Sequence, residues 1–93
     1  MGVCGEGWGL RAYVFIKLAA PVNPDEVAET LRRVDEVVGI YKLLGPYDLV
    51  AEVEEPHDDP ILLRDLVVEK VRPTPGVRWT VTAIVIEGWR RDN

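Results

Sequence analysis

Two short stretches of the chain carry residue types that could engage a ligand. Gly45-Pro46-Tyr47-Asp48 combines backbone N–H groups with one carboxylate, offering donors to an anionic group and an acceptor to a cationic one. The same residues also make a good turn: Pro pre-sets φ, Gly permits a tight bend, and Asp bonds nearby backbone N–H groups. Both roles are open. Thr80 and Thr82 stand two apart, so they project from one face of a strand, although Thr is also simply a good strand former. Tyr41 and Tyr47 suit packing with the hydroxyl turned outward.

Groups that would support catalysis are scarce. His57 stands among Glu54, Glu55, Asp58 and Asp59. One histidine on a proline-bounded acidic loop is expected to be solvated rather than to hold a metal. Asp58 and Asp59 also serve the cap of the helix that follows. Cys4 lies on a glycine-rich segment with no neighbouring His to activate it. The chain contains no serine for a serine triad and no Gly-x-x-x-x-Gly-Lys phosphate loop. Gly5-Glu6-Gly7-Trp8-Gly9 precedes a strand instead of following one, so it is not a dinucleotide fingerprint. These residues predict a protein that is not an enzyme, with no catalytic residues, no cofactor and no metal.

Composition sets wider bounds. Ninety-three residues make one domain, and 47% apolar with 29% charged residues describes an ordinary globular chain. No apolar run approaches the roughly 20 residues that span a bilayer, and Met1 to Gly9 lacks the basic-then-apolar pattern of a secretory signal. A single cysteine fits a reducing cytoplasm, so a cytoplasmic protein is expected. Sixteen acids against eleven bases give a net charge of −5, the wrong sign for gripping phosphate backbones directly. Neither direct nucleic-acid binding nor a membrane partner is expected. The chain also lacks glutamine and has only Asn23 and Asn93 as asparagines, a pattern found in heat-adapted proteins.

Six elements must position the candidate residues. Residues 1–10 read as a flexible lead-in. A β-branched and aromatic strand runs from Ala12 to Ala19 and stops before Pro21. Asn23-Pro24-Asp25-Glu26 is a helix start, with Asn as cap and Pro at the first helical position. Val27, Leu31 and Val34 then form one buried stripe. Val37 to Leu44 and Asp48 to Val53 read as strands paired in a hairpin across Gly45-Pro46-Tyr47. Glu54 to Asp58 reads as a polar loop. Asp59-Pro60 opens a second helix over Ile61–Val71, ended by Pro73, Pro75 and Gly76. Val77 to Ile86 is the last strand, and residues 89–93 form a tail. The order β-α-β-β-α-β predicts a ferredoxin-like α+β sandwich.

The strands are apolar on both sides. In the first, Ala12, Val14, Ile16 and Leu18 oppose Tyr13, Phe15 and Lys17; in the last, Val77, Trp79, Val81, Ala83 and Val85 oppose Arg78, Thr80, Thr82, Ile84 and Ile86. Two helices cover only one face. The other would expose more apolar surface than the few hundred Å² a monomer usually leaves open. Covering even about 600 Å² of it would contribute on the order of 15 kcal/mol before entropy costs. A second copy related by a two-fold axis is the simplest cover. The expected assembly is a homodimer, a dimeric α+β barrel with sheets packed face to face.

Val34 to Val53, read with its Gly45-Pro46-Tyr47-Asp48 turn, resembles the strand–Gly-x-x-Asp–strand hairpin of the effector-binding domain in Lrp/AsnC (leucine-responsive) transcription regulators. Pro75-Gly76-Val77 followed by Thr80-Val81-Thr82 is similar to that family's Pro-Gly-Val and Thr-x-Thr before the last strand, and Ala12 to Ile16 suits its first strand. The likeness covers Arg11 to Glu87, so residues 11–88 are taken as the domain. It implies a RAM module, for regulation of amino-acid metabolism, whose dimers assemble into tetramers or octamers. It also implies a small effector, usually an amino acid, bound in clefts between dimers. On that comparison Gly45, Tyr47, Asp48, Thr80 and Thr82 line the ligand cleft. Family regulators add an N-terminal helix-turn-helix domain, which ten residues ahead of the first strand cannot supply. The expectation is therefore a stand-alone sensing module that acts on transcription, if at all, through full-length Lrp/AsnC regulators. Two alternatives share the element order: a small monooxygenase-like enzyme on a dimeric barrel, and an ACT-type regulatory domain.

Overall fold

The computed structural model describes residues 9–89 and Arg91. Residues 1–8 of the expected lead-in, Cys4 and Trp8 among them, and residues 90, 92 and 93 of the tail lie outside the described residues.

Strand β1 runs Leu10–Leu18 and helix α1 Pro24–Leu31, followed by β2 over Val37–Lys42 and β3 over Leu49–Glu55. Helix α2 covers Pro60–Leu66 and runs on into a single π-helical turn, Val67–Val71, before β4 at Val77–Ile84. The sheet order is β2-β3-β1-β4 and every neighbouring pair is antiparallel, as the ferredoxin-like reading requires. Both helices start as their sequences dictate. Asn23 Oδ1 accepts from the Asp25 N–H and Asp59 Oδ1 from the Ile61 N–H, each with proline at the first helical turn.

Alternation along β1 divides its side chains between two environments. Ala12, Val14, Ile16 and Leu18 are buried against Val27 and Leu31 of α1 and Leu63, Leu66, Val67 and Val71 of the second helical segment. Leu49, Ala51 and Val53 of β3 complete that core. Tyr13, Phe15 and Lys17 lie on the opposite, helix-free face and are only half-buried.

Element ends depart from the sequence reading at several places, β1 closing at Leu18 and β3 opening at Leu49 among them. β1 begins at Leu10, assigned above to the lead-in, because Leu10 packs against the core. Helix α1 ends at Leu31, although Val34 still packs on the core from the turn beyond. β2 stops at Lys42, since Leu44 is fully exposed and has nothing to bury against. Glu54 and Glu55 belong to β3, not to a loop. The buried Glu55 carboxylate accepts from the backbone N–H groups of His57 and Asp59, both at 2.9 Å, which makes its burial tolerable. β4 ends at Ile84 rather than Ile86, whose side chain is 96% exposed.

Candidate functional site

The Gly45–Asp48 loop closes the β2–β3 hairpin beside the end of β1. The Asp48 N–H donates to the Ile16 carbonyl at 3.0 Å, and Asp48 Oδ2 accepts from the Leu18 N–H at 2.8 Å. Lys17 Nζ lies 3.8 Å from the same oxygen. The carboxylate thus satisfies a strand terminus and retains an exposed edge, its side chain 34% accessible. The Tyr47 ring packs on Phe15 at 5.7 Å between centroids, on the helix-free side of the sheet. Gly45 is exposed at the tip, with nothing within 4 Å of the place a Cβ would occupy.

Thr80 and Thr82 lie elsewhere. Their partners across the ladder are Ile16 and Val14, so they belong to the helix-covered face. Because β4 is an edge strand, the helices leave this strip incompletely covered. A groove of about 280 Å³ runs there between β4 and the second helical segment, lined by Arg64, Val68, Arg72, Thr80, Thr82 and Ile84, with Val67 at its base. Within one chain the Tyr47 ring and the threonine pair are therefore on opposite faces of the sheet.

The groove contains residues that sequence reading did not single out. Arg64, Val68 and Arg72 recur every four positions, which was a readable signal. In a continuous α-helix, positions eight apart drift by about 80° around the axis. The wider π turn that begins at Val67 takes back part of that drift and turns Arg64 and Arg72 toward the same groove. Arg64 Nη2 meets Asp65 Oδ1 at 3.6 Å, both side chains well exposed, a contact that contributes little. No carboxylate lines the groove among the described residues.

The helix-free face is mostly apolar. Register places Tyr13, Glu52, Gly39 and Ala83 in one row and Phe15, Val50, Tyr41 and Val81 in the next, with Trp79 beyond. Tyr41, Trp79 and Val81 are 56%, 46% and 45% exposed. Charge gathers at one end, where Arg11 bonds Glu54 and sits 3.4 Å from Glu52. That hydrogen bond, aided by the two carboxylate charges and opposed by burial, holds the guanidinium pKa above its ordinary value. Arg11 also helps line an open cavity of about 650 Å³ with Tyr13, Asp58, Ile86 and Trp89.

His57 contributes its backbone N–H to Glu55, and among the described residues no group of three or more His, Cys, Asp and Glu side chains is placed to hold a metal ion. No helix among the described residues is long and apolar enough to cross a membrane.

Comparison with known proteins places the fold among regulators. The family model for the Lrp/AsnC ligand binding domain matches residues 11–93. The HTH-type transcriptional regulator FL11 of Pyrococcus horikoshii is 27% identical over 81 residues, which are 87% of this chain and 51% of FL11. The chain thus spans about half the length of FL11 and of its Pyrococcus abyssi counterpart. The crystal structure of FFRP-DM1 superimposes with a TM-score of 0.74 at 34% identity, covering 83% of this chain and 99% of that one. A feast or famine regulatory protein from M. tuberculosis, solved in complex with L-methionine, gives 0.78 at 28% identity, over 99% of this chain and 61% of its own.

Proposed function

This chain belongs to the Lrp/AsnC ligand-binding domain family, and from that membership we propose that it senses a small effector, an amino acid, and responds by changing its assembly. The observation that carries this reading is the helix-free sheet face, where Tyr13, Phe15, Tyr41, Val50, Trp79 and Val81 lie on one surface that no helix among the described residues covers. A second copy packed sheet to sheet buries that surface, and the resulting dimers associate further into tetramers or octamers.

The split between loop and groove favours a site shared by copies. The Tyr47 ring and the Thr80–Thr82 pair lie on opposite faces of one chain, whereas a cleft between dimers brings a loop from one copy to a groove of another. Binding at such an interface stabilises the assembly that presents it, by linkage. The chain is then a non-enzymatic module that influences transcription by co-assembling with full-length Lrp/AsnC regulators through matching sheet faces.

Sedimentation and thermal unfolding, with and without amino acids at millimolar concentration, test the proposal. A dimer or larger species whose size or Tm responds to at least one amino acid is expected. A folded 10.5 kDa monomer would remove the assembly, and indifference to every amino acid would remove the sensing.

A further inference from the structure

The chain continues past β4 with large apolar side chains uncovered. The Val85 N–H donates to the Arg11 carbonyl at 2.8 Å, one residue beyond the end of the strand. Ile86 and Trp89 follow at 96% and 79% exposure. Two such side chains on one short segment, beside an open cavity, mark a contact surface, and tryptophan is among the residue types that most often anchor one.

The segment is continuous with the helix-free face. Ile86 and Trp89 line the cavity of about 650 Å³ together with Arg11 and Tyr13, and Tyr13 stands in a row of that face with Glu52, Gly39 and Ala83. Leu10, Tyr13, Ile86 and Trp89 give the cavity apolar and aromatic walls, and the Arg11 guanidinium is engaged by Glu54 and Glu52. Asp58 and Glu87, which also line it, are exposed and suit the wet rim of an interface.

Area says what the segment is for. A stable association takes about 800 Å² from each partner. On the helix-free face, Tyr41, Trp79 and Val81 with the half-buried Tyr13 and Phe15 supply on the order of 400 Å², about half of that. Val50 is only 8% exposed and adds little. Ile86 and Trp89 offer roughly 350 Å² more, which brings the surface close to what one copy must contribute.

We infer that residues 85–89 form a clasp buried by a second copy of this chain. In the sheet-to-sheet pair the partner closes the cavity beside Arg11 and Tyr13 and takes the Trp89 ring as its anchor. A two-fold axis repeats the contact, so each copy gives one clasp and receives one. This inference rests on the reading of the chain as a dimer through its helix-free face, and it names the residues outside the sheet that hold the pair together.

Hydroxyl-radical footprinting of the full chain, above and below its dissociation concentration, tests the clasp without any substitution. The Ile86 and Trp89 side chains should be protected in the dimer and reactive in the monomer. Trp89→Ala and Ile86→Ser change exposed side chains, so both variants should fold. Sedimentation over a concentration series should show the dimer Kd raised roughly thirtyfold or more by Trp89→Ala, and less by Ile86→Ser. Dimers in which Trp89 stays as reactive as in the monomer, or an unchanged Kd in both variants, would overturn the clasp and leave the sheet-to-sheet reading intact. A loss confined to species larger than the dimer would overturn it too, by placing the segment between dimers. An amino acid that protects Trp89 with no change in dimer Kd would overturn it in favour of a ligand pocket. A folded monomer at every concentration would overturn both the clasp and the dimer.

Discussion

Asp48 shows how one side chain can satisfy two readings of a motif. Its carboxylate bonds the N–H of Leu18, a residue only 7% exposed, so removing it strands a buried donor. Asp48→Ala should destabilise by about 1–3 kcal/mol, whereas Asp48→Asn keeps a carbonyl acceptor and should recover most of that loss. Urea unfolding at one fixed protein concentration distinguishes the two. An Asn variant that is stable yet blind to effector would show that the charge itself serves the ligand. Gly76 is a second single-residue determinant. It sits at φ +96 in the turn Thr74-Pro75-Gly76-Val77, closed by the Val77 N–H donating to the Thr74 carbonyl at 3.1 Å, the geometry of a type II turn with Pro and Gly at its centre. A Cβ there would lie 2.7 Å from Val22 Cγ1. Gly76→Ala should therefore cost at least about 1–3 kcal/mol through its backbone conformation, with the clash adding to it, read as a lowered Tm. The Pro-Gly-Val motif noted in the sequence thus has a local physical reason independent of any ligand.

Elements were legible where their determinants were local, and less so where they depended on neighbours. Asn23-Pro24 and Asp59-Pro60 marked both helix starts correctly because a cap and a proline act within one turn. Asp59→Ala should cost about 0.5–2 kcal/mol as a lost cap, since only the side-chain acceptor of the Ile61 N–H is removed while the backbone N–H that bonds Glu55 stays; chemical denaturation of the single variant measures it. The strand limits failed for the opposite reason. Glu54 and Glu55 look like loop residues until Arg11, more than forty positions away, pairs with one and the backbone of the next loop satisfies the other. The π turn at Val67–Val71 has no signature in propensity, since an apolar stripe of valines fits an α-helix equally well. Its consequence, Arg64 and Arg72 facing one groove, is therefore only half legible: the four-residue spacing of Arg64, Val68 and Arg72 can be read, the turn that aligns the outer two cannot. Thr80 and Thr82 were correctly expected to share a face, yet which face is set by register with Ile16 and Val14, and register is a tertiary property.

At the scale of the whole molecule the decisive quantity is how many layers cover the sheet. One chain supplies helices to one face only, and family membership displaces the ACT-type alternative, which would join sheets edge to edge. The helix-free face has an apolar middle and a charged end at Arg11, Glu52 and Glu54, so two copies related by a two-fold axis must align both features together. Val81 lies in the apolar part and is 45% exposed in the isolated chain, so a charge there should cost the single chain little. In a face-to-face pair the same charge must be desolvated, which is unfavourable by several kcal/mol without a partner. Val81→Glu should consequently shift the population toward 10.5 kDa particles and abolish the rise of Tm with protein concentration expected of a coupled dimer. Ile61→Glu provides the control: its side chain is 61% exposed on helix α2, outside the groove, so it should leave the sedimentation profile of the dimer in place. Equal sedimentation of wild type and Val81→Glu would mean that the sheets do not meet, and that some other surface holds the copies together.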